Sequence, residues 1–298
     1  MLDYRMETFL TLCKERNYSK AAKKLCITQP AITQHIQHLE RYYDTKLFEY
    51  SNKQVNLTEQ GRILERYALG MNFSTQQVHE VISQSKGGPI KLHIGATPII
   101  EELLMPKVLE RLIINVPELR LIYDTRNTKE LLEGLKKGTY SCVYLEGPFK
   151  KDEYEYRLLG TDEIIPVSGT PMNISSPSDL LSSTLICRET GSGLRKATDD
   201  LLYHNGITVD DFKNHVEVNN MMVMKHLIKT NTGIGFVYKS YVQKELEEGT
   251  LHRIPLNLTT TQEFNFVVLK ECLFLDLYIN LYNFSKRIAD NLKEKGSL

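Results

Sequence analysis

Gln29, Thr33, Gln34 and Gln37 lie close together near the start of the chain. A glutamine amide sets a donor beside an acceptor and can bond adenine bidentately in the major groove, while threonine can meet a base edge or a phosphate. Such readout needs a helix that shows these side chains and hides its opposite side. Ile32, Ile36 and Leu39 recur at i, i+4 and i+7, so the spacing predicts that helix with the polar set facing outward. Thr28 is placed to cap it, and Pro30 falls in its first turn, where a missing N–H is harmless.

Two earlier helices must position this one. Met6, Phe9, Leu10 and Cys13 recur at helical spacing and predict a helix over about residues 3–15. Ser19 is expected to cap a short second helix, Lys20–Leu25, whose Ala21 and Ala22 permit a close crossing. The tight turn "CIT" joins it to the polar helix, which is helix-turn-helix spacing. A solvated amphipathic helix would show the same pattern, and the segment alone leaves both readings open. Phe48–Tyr50 and Gln54–Leu57 then read as a hairpin with Lys53 at its tip, and Thr58 as the cap of a long helix.

Residues 21–61, "AAKKLCITQPAITQHIQHLERYYDTKLFEYSNKQVNLTEQG", resemble the winged helix-turn-helix of the LysR-type transcriptional regulators. The paired alanines, the Gln-Pro-Ala step, the Leu-Glu and Leu-Phe pairs and the closing Leu-Thr-x-x-Gly stand in register. Asp44 replaces the family's usual glycine, and Tyr50 its usual arginine after Leu47-Phe48-Glu49. The resemblance implies that Thr28, Gln29, Pro30, Thr33, Gln34 and Gln37 meet double-stranded DNA in the major groove. It implies that Lys53 touches the backbone from the wing.

From Thr58 to about Lys86 there is no proline. Leu64, Met71 and Val78 recur every seven residues, each followed four later by Ala68, Thr75 and Ile82. That seam predicts one helix of ~29 residues, about 43 Å long, packed against its counterpart in a second chain. The family implies a homodimer through this helix and a dimer of dimers beyond it.

After Pro89 the texture alternates between strand-like and helix-like runs, which predicts a parallel, doubly wound α/β architecture. The expected organisation is a winged-helix head over 1–58, a linker helix over 59–87 and a two-lobed, periplasmic-binding-protein-like α/β effector domain over 88–298. Lobe I takes about 90–161 and 263–298, and lobe II about 162–262. Ligands in open α/β sheets bind beyond the carboxyl ends of strands. That rule selects Thr97 and Pro98, Thr125 and Arg126, Glu146, the loop Thr190, Gly191 and Ser192, and Asn219 for a small-molecule effector. Thr97 and "TGSG" each precede a helix, where free N–H groups favour a carboxylate or another anion. The glycines of "GIG", Gly233 and Gly235, follow a helix and precede a strand, which is the wrong order for a phosphate loop.

Net charge is zero, so any nucleic-acid surface is local: residues 1–88 carry 12 basic against 9 acidic side chains. Cys13, Cys26, Cys142, Cys187 and Cys272 are odd in number and widely spaced, with no CxxC pair, which speaks against a disulfide framework and a zinc site. "MLDYRMETFL" is no signal peptide, and no apolar run spans a membrane, so a cytoplasmic setting is expected. No metal or cofactor is implied. An enzyme is disfavoured, because no GxSxG, HExxH or phosphate loop occurs. Two alternatives remain beside a DNA-binding effector sensor: a binding module that has lost DNA affinity, and a regulator that senses oxidants through Cys142 or Cys187.

Overall fold

The computed structural model of the chain describes residues 3–51, 54–85, 88–270 and 275–294. Two compact units emerge, one holding Met1–Gly88 with Lys136–Thr139 and the other Pro89–Leu135 with Tyr140–Leu298. Lys53, the expected wing contact, lies outside the described residues.

The first unit runs α1 (Tyr4–Glu15), α2 (Tyr18–Leu25), α3 (Gln29–Tyr42), the hairpin β1 (Phe48–Ser51) and β2 (Gln54–Leu57), and α4 (Glu59–Ser85). Phe9, Leu12, Ala21, Ile32, Ile36 and Leu47 form its core. Asn17, not Ser19, caps α2 by accepting the Lys20 N–H at 2.9 Å. Ser19 sits one residue inside the helix, and its hydroxyl donates instead to the Gln29 amide oxygen at 2.8 Å.

Along α4 the seam residues divide. Leu64 and Ala68 are buried in the head's own core. Farther on, Met71, Val78 and Ile82 stand 45%, 44% and 49% exposed, which leaves the outer half of the stripe uncovered. Thr75 lies between them, its hydroxyl donating to the Met71 carbonyl at 2.9 Å.

The second unit opens with β3 (Lys91–Ala96), α5 (Pro98–Leu103), α6 (Met105–Asn115), β4 (Arg120–Thr125), α7 (Thr128–Lys136) and β5 (Cys142–Glu146). The long β6 (Tyr154–Ser168) leads to β7 (Thr184–Arg188), α8 (Gly193–His204), β8 (Asn214–Val218), α9 (Met221–Lys229), β9 (Ile234–Tyr238), α10 (Lys239–Glu247) and β10 (His252–Arg253). The long β11 (Thr260–Leu269) and α11 (Leu275–Glu294) complete it. Sequence spacing suggests one helix after β3; two form, because Pro106 enters at the start of α6 and its ring cannot continue the preceding turn.

One sheet runs β4-β3-β5-β11-β6-β9-β7-β8, with β10 on β6. The expected parallel pairing holds within each lobe, for β3 with β4 and β5 and for β7 with β8 and β9. The strands that join the lobes, β6 and β11, run antiparallel to each other and to their neighbours. Their register shifts between Phe264 and Asn265, so Leu159 bulges where one lobe passes into the other. Among the described residues no helix is long and apolar enough to cross a membrane.

Candidate functional site

In the head, Ile32, Ile36 and Leu39 anchor α3 in the core. Thr28, Gln29, Pro30, Gln34 and Gln37 are exposed and Thr33 half-buried. Thr28 caps α3 through the Ala31 N–H at 3.3 Å, and the Thr33 hydroxyl returns to the Gln29 carbonyl at 3.2 Å. Gln29 is therefore held by Ser19, while the amides of Gln34 and Gln37 project from the same outward face. A surface of this kind can present paired donors and acceptors to base edges.

The flank of α3 carries contacts that spacing did not reveal. His35 shares a 2.9 Å hydrogen bond with Thr8, and Tyr4 meets its ring edge-on at 4.8 Å. Burial, with the Arg5 charge behind it, lowers the His35 imidazole from its ordinary value. At the far end of α3, Glu40 accepts the Leu47 N–H at 3.0 Å and pairs with Lys46 at 2.7 Å, tying the helix to the wing. The Leu-Thr-x-x-Gly motif closes that joint. Thr58 caps α4 through the Gly61 N–H at 2.9 Å, and a Cβ on Gly61 would stand 2.1 Å from the Leu47 carbonyl oxygen. Asp44 adopts φ 47°, the left-handed region where the resemblance leads one to expect glycine. Tyr50 projects from β1, 75% exposed.

In the second unit a cleft of about 820 Å³ opens beyond the strand ends, within the size range of small-molecule sites. Lobe I supplies Pro98, Thr125, Arg126, Asn127 and Glu130; lobe II supplies Glu189, Glu217, Val218, Asn219, Asn220 and Val223. Four of the residues selected from sequence thus line one cleft: Pro98, Thr125 and Arg126 from lobe I and Asn219 from lobe II. Thr190, Gly191 and Ser192 line a second hollow of about 350 Å³ with Lys129, Arg195 and Lys196.

Thr97 and Glu146 line neither. They are 1% and 2% exposed, and the Thr97 hydroxyl donates to the Glu146 carboxyl. Its side chain makes no capping bond to α5. The carboxylate that Thr97 receives is therefore the protein's own. Burial pushes the Glu146 carboxyl up, against the Thr97 hydrogen bond and the Arg188 charge.

Arg188, 2% exposed, holds both oxygens of Glu189 at 2.9 and 3.1 Å and the Asn219 carbonyl at 3.4 Å. Arg195 holds Glu217 at 3.1 Å and Asp199 at 2.8 Å. The lobes meet where the Lys129 N–H donates to the Gly191 carbonyl at 3.3 Å. Asn127 and Glu130 join the lining without a strand-end signal, although Asn-x-x-Glu is the capping-box pattern that starts α7, with the Glu130 N–H on Asn127 at 3.0 Å. Glu189 and Glu217 had a weaker signal, their places at the ends of β7 and β8. Cys142 and Cys187 are buried, and burial raises the Cys187 thiol despite Arg195 at 3.5 Å, which disfavours a reactive thiolate.

Residues 4–62 match the bacterial regulatory helix-turn-helix protein model of the lysR family, and residues 86–273 match the LysR substrate binding domain. The chain belongs to the LysR family of transcriptional regulators. It is similar to a probable RuBisCO transcriptional regulator of Gracilaria tenuistipitata var. liui, 28% identical over 269 residues covering 87% of this chain and 86% of the other. It is also similar to the HTH-type transcriptional regulator CysL of Bacillus subtilis (strain 168), 29% identical over 247 residues, 81% of this chain and 82% of that one. The crystal structure of ArgP from Mycobacterium tuberculosis shares the fold, with a TM-score of 0.71 at 12% identity over 97% of each chain. The winged head, the linker helix and the two-lobed α/β body are thus those of a LysR regulator, which binds DNA and senses an effector; membership in a family of regulators implies a role other than catalysis.

Proposed function

We propose that this LysR regulator reads its operator with Gln29, Pro30, Thr33, Gln34 and Gln37 of α3, Thr28 fixing the start of that helix. The outward polar face of α3, held by three buried apolar anchors, is the observation that carries this reading. Two such heads are needed, because a single small helix-turn-helix buries little DNA. The uncovered Met71, Val78 and Ile82 of α4 supply an apolar stripe for a second copy. A small molecule occupies the cleft bounded by Pro98, Thr125, Arg126 and Asn219, and its differential affinity for two arrangements of the lobes alters promoter binding or bending. The protein works in the cytoplasm, where its DNA is, and turns over no substrate.

The test uses a duplex selected from a random pool by the parent protein. Gln34→Ala with Gln37→Ala should lose about tenfold or more in affinity for that duplex, and should keep the parent's affinity for unrelated DNA. Equal grip and equal selectivity in the double variant would refute the assignment.

A further inference from the structure

Gln29 differs from the other two glutamines on the outward face of α3 in one respect: its amide is held. The Ser19 hydroxyl donates to its Oε1 at 2.8 Å, whereas the side-chain amides of Gln34 and Gln37 have no partner among the described residues. Ser19 has no other duty. Asn17 caps α2, its side chain accepting the Lys20 N–H at 2.9 Å, so the start of that helix does not need the Ser19 hydroxyl.

The backbones that carry this pair are fixed. Ala21 and Ala22 of α2 and Ile32 of α3 are buried in one core, and the Ile27 N–H bonds the Ala22 carbonyl at 3.1 Å across the turn between the helices. Gln29 opens α3 next to the Thr28 cap, and its carbonyl receives the Thr33 hydroxyl at 3.2 Å. The bond from Ser19 therefore sets the orientation of the amide. Oε1 is turned to α2, and the NH2 group is the end left without a partner. An amide free to turn can offer oxygen and nitrogen together, which suits adenine with its N7 acceptor and N6 donor. An amide whose oxygen is engaged offers its two N–H donors. Those match base edges that show acceptors, guanine with O6 and N7 or thymine with O4.

We propose that Ser19 is a positioning residue for base readout: by holding Oε1 of Gln29 it presents the Gln29 NH2 group to the operator, so that Gln29 selects guanine or thymine over adenine. The proposal rests on reading α3 as the helix that meets DNA. Gln34 and Gln37 keep the freedom to pair with adenine through both amide atoms.

Four duplexes that differ only in the base pair facing Gln29 test it, bound by the full chain at fixed salt. The duplex selected by the parent supplies the frame, and the pair facing Gln29 is the one at which Gln29→Ala loses discrimination. The parent should favour guanine or thymine over adenine there by about fivefold, less than a full bidentate contact gives. Ser19→Ala should flatten that preference to within about twofold while discrimination elsewhere and the melting temperature stay near the parent's. Ser19→Thr keeps the hydroxyl and should restore it. In a Gln29→Ala background, Ser19→Ala should change nothing further in the base profile. Adenine preference in the parent overturns the inference, since the second lone pair of the oxygen would then serve the base. Equal weakening of all four duplexes by Ser19→Ala, with a shallower salt dependence, also overturns it, because the hydroxyl would then hold a phosphate. A base profile that Ser19→Ala leaves intact, or one in which no position answers to Gln29, overturns it as well. In each of these cases the selectivity of the Gln34→Ala, Gln37→Ala protein still decides whether α3 reads DNA, so the two readings fail separately.

Discussion

The head and the effector unit solve recognition in opposite ways. The head displays one continuous stretch, Gln29 to Gln37 on α3, and everything else in it exists to aim that helix. The cleft draws its walls from the ends of strands 94 positions apart in the chain, Thr125 on one lobe and Asn219 on the other. A surface on one helix depends on local periodicity. A surface gathered from many strand ends depends on the crossing of β6 and β11, and so on the whole sheet.

Matched glycine substitutions sharpen this contrast most strongly. Gly61→Ala forces a Cβ against the Leu47 carbonyl, and Gly193→Ala forces one against the Glu146 carbonyl. Each should destabilise its own unit by about 3 kcal/mol, the upper range for overpacking. Separate melting transitions would show this, with the other unit's transition unmoved. A shift of both transitions by either variant would mean the units are not independent.

Charge placed on the outer half of α4 comes next. Val78→Glu with Ile82→Glu should shift sedimentation from dimer to monomer at micromolar protein, while Leu64→Ala should cost the head about 2 to 4 kcal/mol of stability through a core cavity, read as a lower melting temperature. If the glutamate pair leaves the dimer intact, the uncovered stripe is not the interface.

Glu146 offers a smaller, pH-dependent test. Its folded carboxyl is raised from an ordinary value of 4.5. The group therefore contributes fully to stability below pH 4.5 and loses that contribution as pH rises through its folded value. Glu146→Gln should melt like the parent near pH 4.5 and above it near pH 8; a difference that shrinks with rising pH would contradict the direction of the shift.

The smallest effects compare two threonines. Thr28→Ala removes a real cap and should cost about 1 kcal/mol in head stability. Thr97→Ala removes no cap and should leave α5 helical by amide exchange, while freeing Glu146. Asp44→Gly should raise head stability by about 0.5 kcal/mol, because glycine accepts φ 47° without strain.

These pairs also mark how far the residues could be read in advance. Thr28 and Thr97 look alike in sequence, each before a Pro-bearing helix start, and only one caps. The difference lies in a partner, Glu146, that arrives from a distant strand. Leu64 and Met71 are likewise equivalent in a heptad pattern, yet one is buried in the head's core and the other is exposed. The first half of β6 carries the weaker strand signal, because "EYEYRLL" alternates charge with apolar residues and lacks the buried run of the second half.

By itself, the sequence determined the head, the long helix and the alternation of strands and helices, because hydrophobic periodicity, caps and turns act over a few residues. It also placed Pro98, Thr125, Arg126 and Asn219 at strand ends. Which threonine bonds a carboxylate, which leucine is covered and how many acids border the cleft were decided only by tertiary structure. Those depend on what the sheet brings alongside each residue, and burial and pairing are properties of neighbours in space.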